Sequence, residues 1–204
     1  MGYDNKMIRR FTEMAVQNPK RVVFAEANHA NMLSAAVTAY QEGICFPILL
    51  GNTDYIHSVA EQNGLNLDGL EIVNLRSGEE TERREKYAKI LAQKRQREGI
   101  TLDEAREKMF DRNYFGMMMV EVGDADAFIT GTYTKYTETI QIAKDVIGIR
   151  EGHKHFGAMH IMNTKKGTYF LADTLINRHP DSETLVDIAR LARHAVKFFA
   201  HEPV

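Results

Sequence analysis

Short apolar runs rich in β-branched and aromatic residues alternate along this chain with longer segments of helical period. That alternation is the pattern of an α/β fold, because a strand needs a helical crossover before its parallel neighbour can pair with it. The runs RVVFAEA (21–27), CFPILLG (45–51), LEIVNL (70–75) and 126–130 are the expected strands of a mostly parallel sheet. Pro47 lacks an amide donor, which predicts an edge position or a strand start for the second run.

Helices are expected over 4–17, ended by Asn18-Pro19, and over 30–43, where Met32, Leu33, Ala36, Val37 and Tyr40 share a face and Gly43 is the stop. Others are expected over 53–63 and over 79–98, a strongly charged segment with a strip through Tyr87, Ile90, Leu91 and Lys94. Thr101 and Glu104 make a capping box that opens a separate helix, and 112–123 is apolar enough to be buried, with Met117, Met118 and Met119 as core. A further helix begins near Thr137, after which the texture changes. Runs 156–162 and 168–173 read as strands around a Lys-Lys-Gly turn. A last helix over 182–201 is capped by Asp181 or Ser182 and is amphipathic through Leu185, Ile188, Ala189, Ala192, Val196 and Phe199. Pro203 and Val204 read as the first residues of another strand. The expected organisation is a first domain over 1–151 and the start of a second over 152–204.

With 26 basic and 28 acidic residues there is no global field to draw nucleic acid or an anionic membrane, so neither is an expected partner and any anion site is local. Hydrophobic content of 44% over 204 residues supports a real core. The single cysteine, Cys45, excludes an internal disulfide and suits a reducing compartment. The first residues are polar and lack the apolar stretch of a signal peptide, and no window approaches the roughly 18 apolar residues of a span. A soluble, cytoplasmic protein is expected.

The stretch GDADAFITGTYTKYTETIQ (123–141) runs a strand into a glycine and then a series of hydroxyls before a helix. Backbone amides from Gly131 to Thr134, the hydroxyls of Thr130, Thr132 and Thr134, and the helix N-terminus can converge there on a phosphate. A plain strand-turn-helix with threonine caps explains the same letters, and no G-x-G-x-x-G or Walker lysine accompanies them. Lys94, Arg95 and Arg97 crowd the end of the long helix, as a cap that complements its dipole or as a phosphate grip. Asp173 at a strand end is a general base, a substrate ligand or a turn cap. His153, His155, His160 and His179 lack H-E-x-x-H, C-x-x-C or a matched carboxylate, so no metal site is expected.

The stretches RVVFAEA, LSAAVTAYQEGICFPILLGN, REGITLDEAREKM, GMMMVEVGDADAFITG and YFLADT, in this order, resemble the phosphate acetyltransferase and phosphate butyryltransferase family. The resemblance implies two α/β/α sandwich domains with mostly parallel sheets, isocitrate/isopropylmalate dehydrogenase-like, with the site between them and the second domain incomplete in this chain. The family's catalytic Ser-Arg pair and aspartate would lie beyond Val204. The chain therefore looks like a fragment, and no residue within it is assigned a catalytic role. Ligand-binding positions carry over to Arg95, four residues before the G-I-T turn, and to Thr130 and Gly131, where the family has S-G; Thr132, the next hydroxyl of the loop, is taken with them. A second phosphate-binding arginine of the family falls on Gln141, and the arginine of an early E-x-x-x-x-R falls on Asn31, after Glu26. An amide in place of a guanidinium removes the charge and the bidentate fork.

VIGIREG, GAMHIMN and FLADTLINRHPDSETL look like the version of this domain fused behind the catalytic domains of hybrid NADP-dependent malic enzymes. That similarity implies a regulatory module that binds acetyl-CoA or CoA, or another phosphate-bearing small molecule, and supports a homo-oligomer. It needs no cofactor of its own, since NADP and a divalent metal would serve malate decarboxylation elsewhere in the parent. The alternative is a phosphate acetyltransferase that exchanges CoA and phosphate on an acyl group.

Overall fold

The computed structural model describes residues 6–164 and 166–199. The expected helical residues 4–5 and 200–201, and the strand at Pro203 and Val204, lie outside the described residues. The chain divides into two compact units, Thr12–Gly148, and a second made by the chain from Ile149 onward together with the residues up to Phe11. This division falls a little before the boundary expected at 151/152 and it splits the first helix, α1 (Lys6–Gln17). Gly148, with φ of +85°, ends the segment after the last helix of the larger unit, and the ring of Phe11 packs 4.7 Å from that of Phe199.

In the unit Thr12–Gly148, strands β1 (Lys20–Phe24), β2 (Cys45–Leu50), β3 (Glu71–Val73) and β4 (Ala127–Ile129) form one sheet in the order β3-β2-β1-β4. Every neighbouring pair is parallel. The crossovers are α2 (Ala30–Gln41), α3 (Thr53–Gln62), and a group formed by α4 (Thr81–Arg95), α5 (Leu102–Lys108) and α6 (Arg112–Glu121). Helix α7 (Tyr136–Val146) follows β4.

Alternate strand residues feed two separate cores. Val23, Ile48, Leu50 and Val73 pack with Tyr87, Leu91, Phe115, Met118, Met119 and Val146 on one face of the sheet. Val22, Phe24 and Leu49 pack with Leu33, Ala36, Ile56 and Val59 on the other. Burial on both faces is why these strands read as continuous apolar runs rather than as alternating ones.

β2 lies inside the sheet, so the edge expected from Pro47 is corrected. Pairing of β2 with β3 begins only at Ile48, and at Pro47 the strand has a partner on the β1 side alone. The missing donor therefore leaves no rung with β3 unfilled. β1 is also shorter than 21–27, because the chain turns after Phe24 and Glu26 leaves the ladder. The capping box is present: Thr101 accepts from the Glu104 amide, and the Glu104 carboxylate accepts from the Thr101 amide.

The second unit holds β5 (Met159–Thr164), β6 (Gly167–Ala172) and α8 (Ser182–Phe198). β5 and β6 are antiparallel, so no parallel pair occurs in this unit among the described residues. Asp181 caps α8, accepting from the Thr184 amide and hydroxyl at 2.8 and 2.7 Å. The buried positions of α8 are Thr184, Asp187, Ile188 and Val196, while Leu185 is 54% exposed. The buried face of α8 is thus rotated from the expected one by a pair of polar residues that are satisfied inside.

Close approach of α6 to the sheet requires Gly116, since a Cβ there would lie 2.5 Å from the Phe128 ring and 3.0 Å from Leu50. Overpacking of this kind costs about 1–3 kcal/mol, against a helix-propensity gain of about 1 kcal/mol for alanine. Gly116→Ala is therefore expected to lower the urea midpoint, and to lower it less in a Phe128→Leu background. Equal losses in both backgrounds would show that the ring is not the obstacle.

Candidate functional site

Beyond the end of β4, residues 130–135 form the loop that carries the hydroxyl-rich letters. Gly131 adopts φ of +108°, and α7 begins after Lys135 with no side-chain cap. The amides and the terminal hydroxyl of this loop converge on an anion, and that anion is Glu26 of the same chain. Its Oε2 accepts from the Thr132 amide at 2.9 Å; its Oε1 accepts from the Tyr133 amide at 3.0 Å and the Thr134 hydroxyl at 2.9 Å. Glu26 is 1% exposed. Thr130 donates its hydroxyl to Asn113 Oδ1 at 2.9 Å, and Tyr133 stacks on His29.

Burial alone pushes the Glu26 carboxyl up. The Thr134 hydroxyl, the Tyr133 and Thr132 amides and the charge of Arg112 together outweigh it, and the group sits below its ordinary value. Arg112 is held next to Glu26 by bonds to Asn28 Oδ1 at 2.5 Å and to the Ala25 carbonyl at 3.4 Å.

Arg95 works at the other end of α7. Its Nε and Nη2 donate to the Asp145 and Lys144 carbonyls at 2.6 and 2.5 Å, and its Nη1 pairs with Glu98 at 2.7 Å. The adjacent Lys94 donates to the Val146 and Ile147 carbonyls at 2.6 and 3.1 Å and pairs with Glu121. The last carbonyls of a helix have no partner within it, and cations complement its C-terminal dipole. The basic end of α4 thus caps a neighbouring helix rather than its own. Gln141 donates to Asp145 Oδ1 at 2.9 Å, and Tyr114 donates its hydroxyl to Asp145 Oδ2 at 2.6 Å.

The predicted ligand residues therefore fall into two groups. Thr130, Gly131 and Thr132 are together in the loop, while Arg95 and Gln141 meet around Asp145. An 11-residue helix spans about 15 Å, so the Arg95 guanidinium and the loop face opposite ends of α7.

Asp173 accepts from the amides of Ala158, Leu175, Ile176 and Asn177 and from Asn177 Nδ2. Burial raises its pKa, but these bonds outweigh it and the carboxyl is held down. That is the geometry of a turn cap with its acceptors in use. His153 and His155 both approach Asp187, at 3.4 and 3.1 Å, and His160 bonds Thr174. Among the described residues no cluster of His, Cys, Asp and Glu is arranged to hold a metal ion. None of their helices is long and apolar enough to cross a membrane. The residue whose role sequence reasoning missed is Glu26. Its signal was a lone carboxylate inside the apolar run RVVFAEA, where a buried charge requires dedicated partners.

A profile of the family described as phosphate acetyl/butaryl transferase matches residues 6–204. The NADP-dependent malic enzyme of Escherichia coli K12 is 33% identical over 98% of this chain, which covers 26% of that enzyme's length. The phosphate acetyltransferase of Thermoanaerobacterium thermosaccharolyticum is 32% identical over 94% of this chain and 58% of its own length. A phosphotransacetylase structure from Streptococcus pyogenes superposes with a TM-score of 0.86 at 24% identity, covering all of this chain and 61% of that one. The EutD phosphotransacetylase from Staphylococcus aureus superposes at 0.83 with 23% identity, over 97% of this chain and 58% of that one. The chain thus spans a quarter to three fifths of the length of these proteins.

Two outcomes follow from the geometry. Arg95→Ala removes two charged hydrogen bonds to the α7 carbonyls together with the Glu98 pair, and is expected to cost about 2–3 kcal/mol in chemical denaturation; an unchanged midpoint would contradict its capping role. Because the folded pKa of Glu26 is depressed, its contribution is present above the ordinary value of 4.5 and is lost as pH falls through the folded value. The Thr132 and Tyr133 amide resonances should therefore titrate below pH 4.5, and stop doing so in Glu26→Gln.

Proposed function

Since this chain belongs to the phosphate acetyl/butaryl transferase family, we propose that it is a regulatory member of it: a module that binds acetyl-CoA or CoA and performs no transfer itself. One observation carries this reading. The glutamate of the family's early E-x-x-x-x-R is kept as Glu26 and holds the loop amides, but its arginine is Asn31 here, so one guanidinium that would grip phosphate is replaced by an amide. Gln141, where the resemblance places an arginine, supports it in the same direction. It binds the neighbouring Asp145 and brings no charge.

The match to malic enzymes over nearly the whole chain supports a parent that decarboxylates malate oxidatively with NADP and a divalent metal. In that parent this module would sense acetyl-CoA and hold copies of the protein together as a homo-oligomer in the cytoplasm. Its architecture in this reading is a pair of α/β/α domains of the isocitrate dehydrogenase-like kind. The second reading, a phosphate acetyltransferase, is favoured by the equal similarity to enzymes of that name.

Two assays on the intact protein separate them. Calorimetric titration with acetyl-CoA is expected to give saturable binding. Incubation with acetyl-CoA and phosphate is expected to form no acetyl phosphate above a protein-free control. Turnover that disappears in Glu26→Gln or Thr132→Val variants would overturn the regulatory reading in favour of the transferase.

A further inference from the structure

The carboxyl ends of β1, β2 and β3 open onto a cavity of about 460 Å3 within the unit Thr12–Gly148. In open parallel sheets this is the edge at which ligands bind. An asparagine follows each of the three strands into its wall: Asn28 after β1, Asn52 after β2 and Asn74 after β3. Each turns its oxygen toward the protein. Asn28 Oδ1 accepts from Arg112, Asn52 Oδ1 from the Tyr55 amide at 2.9 Å, and Asn74 Oδ1 from the Arg76 amide at 3.2 Å. A donor must face an oxygen, so these bonds fix the orientation of all three amides. Their Nδ2 groups make no hydrogen bond among the described residues, and three donors are left at the cavity.

Arg76 adds charge to that wall. It is exposed, and among the described residues its guanidinium forms no hydrogen bond or ion pair, approaching only the Phe110 ring at 6.0 Å. The one carboxylate in the lining, Asp111, turns Oδ1 to the amides of Asn113 and Tyr114 at the start of α6. Arg112 answers the charge of Glu26, so Arg76 is the cation left to face Asp111 and the asparagine donors in this wall. Tyr55 and Phe110 are exposed aromatic rings in the same lining; the Arg84 guanidinium lies over Phe110 at 4.8 Å, which leaves Tyr55 as the ring suited to stack on a flat group.

We propose that this cavity binds a nucleoside phosphate, with the phosphate held by Arg76 and the three asparagine amides and the base against Tyr55. The ligand is a free nucleotide or the nucleotide end of CoA; only the second source rests on the CoA reading above. The volume lies in the range of about 300–1,000 Å3 that small-ligand sites occupy.

The test is calorimetric titration of the intact protein with adenosine 3′,5′-bisphosphate, ADP and acetyl-CoA, repeated on Arg76→Ala and Asn74→Leu. Removing a charged, bidentate donor is expected to weaken the bound nucleotide at least about tenfold, with partial retention in Arg76→Lys. Among the described residues the Arg76 guanidinium makes no hydrogen bond or ion pair, so its variants should unfold close to the wild-type midpoint. If acetyl-CoA and the bisphosphate weaken together, CoA is the source; if ADP alone weakens, the ligand is a free nucleotide. The proposal is overturned if no nucleotide binds, or if none loses affinity in Arg76→Ala. Acetyl-CoA binding that survives unchanged in that variant would remove this site as its locus and leave the regulatory reading standing.

Discussion

The carboxylate of Glu26 is the constraint on which the rest of the site depends. An ionised carboxylate that is 1% exposed is tolerated only when its oxygens are bonded, because an isolated buried charge costs several kcal/mol. β1 and β4 are neighbours in the sheet, so a residue just past the end of β1 can reach the loop that follows β4. The chain leaves the ladder after Phe24 and places Glu26 there, and the loop arranges its amides and hydroxyl around it. A loop with the letters of an anion cradle is thus a cradle whose anion is covalently part of the protein.

Helix α7 is then held by opposite charges at its two ends. Glu26 lies against the loop that leads into its N-terminus, and Lys94 and Arg95 cap its last carbonyls. Both match the sign of the helix dipole. The arrangement also explains why the arginine that the family resemblance assigned to phosphate is occupied here: with Asp145 and Lys144 presenting their carbonyls, its donors are already in use. The exposed cation at the sheet's carboxyl edge is a different one, Arg76, on the loop after β3.

The elements were legible because their causes are local. Tyr87 and Leu91 on α4, the capping box at Thr101 and Glu104, and the three buried methionines of α6 all follow from periodicity and capping. Pro47 misled because edge or interior is decided by where the partner strand starts, which depends on β3 and not on the residues around the proline. α8 misled because Thr184 and Asp187, polar in the sequence, are buried with partners at Asp181, Lys154 and His155. At the site, the loop was readable as an anion binder, but the identity of the anion was not. Glu26 and Thr132 are separated by 106 residues, and no local pattern records their meeting.

The most direct test of this account is an amide-resolved titration of the intact protein with inorganic phosphate at neutral pH, following Thr132 and Tyr133. With Glu26 ionised in the loop, those two resonances should not move at saturating phosphate. A saturable shift of both, at a pH where Glu26 is charged, would show that the loop is open to an external anion and would contradict the account.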